Sequence, residues 1–110
     1  MSISIDNLVA VLNDSNLPVT YYQWPLSDVP PLPYIVYWLP DSDNFFADNR
    51  NYKNISNVRI ELYTEHKDFG TERNLEVLLE NNEIPYEKSE QWLKSEEMWM
   101  IVYTTSIITD

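Results

Sequence analysis

Apolar residues near the start of the chain recur at Ile5, Leu8, Val9 and Leu12, the i, i+3, i+4, i+7 spacing of one helical face. Ser4 stands where an N-cap belongs, with Asn7 three residues on as an imperfect capping box. The spacing predicts a helix over about Ile5 to Asn13, stopped by Asp14, Ser15, Asn16 and Pro18. Val19 to Trp24 is rich in β-branched and aromatic residues and ends at Pro25, which suits an edge strand. Four prolines, Pro25, Pro30, Pro31 and Pro33, then impose a stiff extended loop. Tyr34 to Leu39 is apolar at every position, as expected of a strand covered on both faces.

Asp41 to Asn54 is polar and rich in Asp and Asn, which predicts a long loop or an extended hairpin. The clearest periodicity follows in Ile55 to His66, where Val58, Ile60, Leu62 and Thr64 alternate with Arg59, Glu61, Tyr63 and Glu65. That pattern is a half-buried strand with one wet face. A second helix is expected over about Thr71 to Asn82, with Thr71 as N-cap and Leu75, Leu78, Leu79 and Asn82 sharing a face. Tyr86 to Leu93 reads as a short strand, Lys94 to Glu97 as a turn, and Met98 to Ile108 as a long strand apolar on both faces.

The expected fold is therefore a single α+β domain over residues 1–110, a mostly antiparallel sheet with two helices packed on one face, in the order α-β-β-β-α-β-β. Two short helices cover only one side of such a sheet. Apolar positions on the other side, assigned here to Tyr34, Val36, Trp38, Trp99, Ile101 and Tyr103 or their alternates, need a second cover. Either the Pro-rich loop folds over them or another copy of the chain does.

Composition narrows the function. Eighteen acidic residues against seven Lys and Arg give a net charge of -11, and no basic side chain precedes Arg50. A field of that sign disfavours phosphate backbones and anionic headgroups as partners. The absence of cysteine excludes disulfides, thiol nucleophiles and cysteine-ligated zinc, and the single His66 has no second imidazole to work with. One glycine, Gly70, leaves no phosphate-cradling loop. No apolar run approaches the roughly 20 residues of a membrane helix, and the start of the chain does not read as a signal peptide.

The polar cluster Asp41, Ser42, Asp43, Asn44, Asp48 and Asn49 fails as a calcium loop, because Phe45 and Phe46 occupy ligand and glycine positions. Glu65, His66 and Asp68 lack the nucleophile or metal that an acid–base site would need. Glu87, Glu90, Glu96 and Glu97, interleaved with Lys88 and Lys94, read as a charged edge that discourages strand pairing. No catalytic, cofactor or metal site is expected, and an enzyme is the least favoured class. The aromatic set, including Tyr21, Tyr22, Trp24, Trp38, Trp92 and Trp99, reads as core plus subunit interface.

Pro33-Tyr34-Ile35-Val36-Tyr37, the loop from Ser42 to Asn49, Ile60-Glu61-Leu62-Tyr63-Thr64 and Asn82-Glu83-Ile84-Pro85-Tyr86 resemble small neck or tail-completion proteins of long-tailed phages and prophages of Gram-positive bacteria. The resemblance extends from the first helix through Thr105. It implies a structural protein of the virion, made in the host cytoplasm, that forms a ring of six subunits and meets the tail tube protein and the head connector. Such proteins act as tail terminators or as tail-to-head joining proteins. Under it, the Asp41 to Asn54 arm would order on assembly, Trp38, Phe45, Phe46, Trp99 and Tyr103 would contact neighbours, and Asp41, Asp43 and Asp48 would face the lumen. The competing expectation is a small acidic inhibitor or DNA mimic that binds a basic host protein.

Overall fold

The computed structural model of this chain describes residues 4–43, 45–47 and 50–108, with 45–47 and 50–53 described by their backbone alone. The chain is α+β, with helix α1 (Ile5–Asn13), strands β1 (Val19–Tyr21), β2 (Tyr34–Ser42), β3 (Phe45–Ala47), β4 (Arg50–Lys53) and β5 (Ile55–Thr64), helix α2 (Phe69–Asn81), and strands β6 (Glu87–Leu93) and β7 (Met98–Ile108). Five strands form one sheet in the order β1-β2-β5-β7-β6, antiparallel except for the β1–β2 pair, and β3 pairs with β4 in a separate two-stranded sheet. The polar stretch after Asp41 is thus a hairpin that prolongs the β2–β5 ribbon.

Sequence and backbone agree closely at α1, where Ser4 Oγ accepts the Asn7 N–H at 3.3 Å and Leu8, Val11 and Leu12 are buried. At α2 the start moves back. The N-cap is Asp68, whose carboxylate accepts both the Thr71 N–H at 3.1 Å and the Thr71 hydroxyl at 2.7 Å, so Thr71 lies inside the first turn. Its inward face also differs from the expected Leu75, Leu78, Leu79 and Asn82; the buried residues are Glu72, Leu75, Glu76 and Leu79.

β1 is shorter than the Val19 to Trp24 stretch because Tyr22 takes a left-handed φ of 66° while its N–H still reaches the Tyr37 carbonyl at 2.8 Å. That conformation is costly for a bulky residue and turns the chain out of the sheet. β2 runs past Leu39 to Ser42, with its register shifting between Trp38 and Asp41. Pro40 sits in that irregularity, where the missing N–H costs no ladder bond.

One core joins Leu8, Val11 and Leu12 of α1 to Leu75 and Leu79 of α2 and to Ile35, Val58, Ile60, Leu62, Ile101, Tyr103 and Ile107 of the sheet. Both helices therefore cover the same face. Register fixes which alternates point there: Ile35 stands opposite Leu62, Tyr37 opposite Ile60, and Ile60 opposite Tyr103. The open face carries Tyr34, Val36 and Trp38, then Arg59, Glu61 and Tyr63, then Met98, Met100 and Val102. Trp99, Ile101 and Tyr103 belong to the helix-covered face, so on β7 it is their alternates Met98, Met100 and Val102 that take the open-face positions.

Candidate interaction surface

The open face is built around a carboxylate. Glu61 projects from the central strand β5 and is only 8% exposed, a burial that a polar group tolerates when its oxygens are bonded. The Trp38 indole N–H reaches Glu61 Oε2 at 2.9 Å, the Arg59 Nε donates to the same oxygen at 2.7 Å, and the Tyr63 hydroxyl donates to Oε1 at 2.6 Å. Burial and that bond to the carboxylate push the Tyr63 phenol well above its ordinary pKa, so it stays a donor. The Trp38 ring is thereby locked in orientation on a face that no helix covers.

Part of the cover comes from the segment after β1. Tyr22 meets Trp38 edge-on with centroids 5.4 Å apart, and Trp24 meets Tyr34 likewise at 5.8 Å. The Pro-rich loop leaves a cleft of about 410 Å³ walled by Trp24, Val29, Tyr34, Tyr63, Leu93 and Met98. Its tip residue Leu26 is 99% exposed, and Tyr22 and Val29 are exposed as well. The face is thus half covered, by aromatic residues that themselves leave apolar surface in water.

Across the sheet lies a second polar group, beneath α2. Glu72, 1% exposed, receives the Lys67 ammonium at 2.7 Å and the Lys88 ammonium at 2.9 Å. Lys88 also reaches Glu76 at 2.7 Å, and the buried Tyr103 hydroxyl donates to Glu76 at 2.8 Å. Burial alone would raise the Glu76 pKa, but the hydrogen bonds from Lys88 and Tyr103 and the nearby cations outweigh it and hold it below the ordinary glutamate value. Lys67 closes the group by pairing with Glu90 on β6.

The residues proposed from sequence as a subunit contact do not form one patch. Trp38 is on the open face, whereas Trp99 is on the helix side, where its ring meets Trp92 at 5.5 Å and lies under the Lys67 ammonium at 5.8 Å. Tyr103 is fully buried within the single chain, so its assignment to a neighbour contact is corrected to the core. Phe45 and Phe46 fall on strand β3, and their side chains lie outside the described residues. Asp41 and Asp43 come together at the base of the hairpin, where the Asn57 amide donates to both carboxylates at 2.7 and 2.8 Å. Asp48 lies outside the described residues. Among the described residues no group of His, Asp and Glu is arranged to hold a metal, and no helix is long and apolar enough to cross a membrane.

No protein-family model matches this chain, and no curated protein matches it. What the chain can do is therefore argued from its own surface.

Sequence reasoning missed Glu61, Glu72 and Glu76. An alternating strand with Arg, Glu and Tyr on one side reads as wet, and only the aromatics of β2 brought beside it make that side a partly dry one. For α2 a signal was present, since Glu72 and Glu76 share the four-residue spacing of Leu75 and Leu79.

Proposed function

We propose that this protein is a structural subunit of a phage head–tail junction that assembles with copies of itself into a ring, completing the tail or joining it to the capsid connector. The observation that carries this reading is the sheet face opposite the helices, where Trp38, Met98 and Met100 stay only half-buried beside the buried Tyr34 and Val36, and where Tyr22, Leu26 and Val29 of the covering segment are themselves exposed. A face of this kind, aromatic and fixed in orientation by Glu61, has the composition of a subunit contact. The β3–β4 hairpin, which pairs only with itself among the described strands, supplies an arm able to reach a neighbour. Asp41 and Asp43, held at its base by Asn57, would place negative charge on the inner wall of a ring through which DNA passes.

Deleting the gene from an inducible prophage and imaging the lysate by electron microscopy tests the reading. Overlong or irregular tails identify a terminator, and free tails of normal length beside filled heads identify a joining protein. Intact, infectious virions would overturn it.

A further inference from the structure

The five-stranded sheet ends on β6, seven residues whose outer edge faces no other strand among the described residues. Alternate residues of such an edge turn their N–H and C=O groups away from the sheet, ready to pair with an added strand. The opposite edge offers far less, since β1 is three residues long and Tyr22 turns the chain away.

Charged side chains ordinarily guard an edge of this kind, and here two of them are drawn aside. Lys88 is held beneath α2 by Glu72 and Glu76, and Glu90 is paired with Lys67. On the other face of β6 stand Glu87, Ser89 and Gln91, all exposed. The strand contains no proline, and its pairing with β7 shows no register shift.

The charge around the edge is net negative. Between Glu83 and Glu97 the chain carries five carboxylates and two lysines, and one of those lysines, Lys88, is turned inward to the α2 carboxylates. At the far end an apolar surface adjoins the edge. Phe69 is 72% exposed and Trp92 42% exposed, and the Lys67 ammonium lies 5.0 Å from the Phe69 ring while Trp92 packs on Trp99.

We propose that β6 is a docking edge for an extended, basic polypeptide segment, which adds to the sheet as a sixth strand. Main-chain hydrogen bonds to β6 provide the pairing, Lys or Arg residues of the segment meet Glu87, Glu96 and Glu97, and an apolar residue near one end rests on Phe69 and Trp92. A second copy of this chain is the less suitable occupant, because both partners would carry the same net negative charge. The inference does not depend on the phage reading, which the deletion experiment judges separately.

The test uses the full chain and two synthetic peptides of alternating lysine and threonine or of alternating glutamate and threonine, each with one terminal leucine. Titration by fluorescence anisotropy is combined with amide hydrogen exchange. The lysine peptide is expected to bind and to slow exchange at alternate β6 amides while leaving β1 unchanged. The double variant Glu87→Lys/Gln91→Lys, both positions exposed, is expected to weaken binding at least about tenfold, and Trp92→Ala by a smaller factor, with circular dichroism unchanged. Equal binding of the glutamate peptide, or unaltered β6 exchange in the presence of the lysine peptide, would overturn the proposal. So would β6 amides already protected in the free protein together with a dimer in sedimentation, which would assign the edge to a second copy.

Discussion

Replacing Lys88 by Met keeps the apolar stem of the side chain and removes the ammonium shared by Glu72 and Glu76. Glu72 retains Lys67, and Glu76 retains the Tyr103 hydroxyl and the more distant Arg73 at 3.6 Å, so both carboxylates stay half satisfied. Breaking a fully buried ion pair costs about 3–5 kcal/mol. The Lys88 side chain is 35% exposed, so water screens part of the loss; a deficit of about 2–3 kcal/mol at neutral pH is expected. For a domain of this size that lowers the melting temperature by about 10 °C or somewhat more. Urea unfolding followed by tryptophan fluorescence measures it directly.

The pH dependence has a definite sign. Because the Glu76 pKa is depressed in the folded chain, its contribution is present above the ordinary glutamate pKa and is lost as pH falls through the lowered value. The Lys88→Met deficit should therefore be greatest near neutrality and shrink below about pH 4. In a Glu76→Gln background the same substitution should cost less, since one of its two carboxylates is gone. A loss under about 0.5 kcal/mol at neutral pH, or one of the same size in acid, would refute the reasoning.

Asp68→Ala should destabilise by about 1 kcal/mol through loss of the α2 cap, while Thr71→Val, which keeps the backbone donor, should cost less; equal costs would show that the cap is misassigned. The Asp68 pKa is lowered by the Thr71 hydroxyl and N–H, so that difference should fade as pH drops through the depressed value. Leu79→Ala empties fully buried volume between α2 and the sheet and is expected to cost about 2–5 kcal/mol in chemical denaturation. Trp38→Ala should leave a folded monomer, with self-association, measured by sedimentation, as the property that is lost. Unfolding instead would assign Trp38 to the core.

Legibility in the sequence tracked how one-sided each element is. α1 carries an apolar stripe and a capping serine, so both its ends could be read, while its buried face was read only in part: Leu8 and Leu12 are buried as expected, but Val11 is buried and Val9 only half-buried. β5 alternates strictly, and its inward residues Val58, Ile60, Leu62 and Thr64 were correct for the same reason. β7 has apolar residues on both sides, and periodicity cannot choose between Met98, Met100 and Val102 and the set Trp99, Ile101 and Tyr103. Only pairing with β5 decides, because Tyr103 stands opposite Ile60. The open-face site was hidden for a related reason: Glu61 and Tyr63 look solvated until Trp38 is placed on the neighbouring strand. In α2 the departure was chemical, since two glutamates occupy core-facing positions that a hydrophobic stripe would normally fill.

The position of β7 also has a kinetic meaning. It lies in the sheet between β5 and β6, yet follows both in the chain. On a nascent polypeptide β6 therefore emerges before the strand it pairs with, and α2 emerges before half of the surface it packs on. The β2–β5 ribbon is the largest piece of sheet able to form early. Closure of the core waits for a late, long-range pairing, the kind that slows folding and leaves strand edges exposed in the interval.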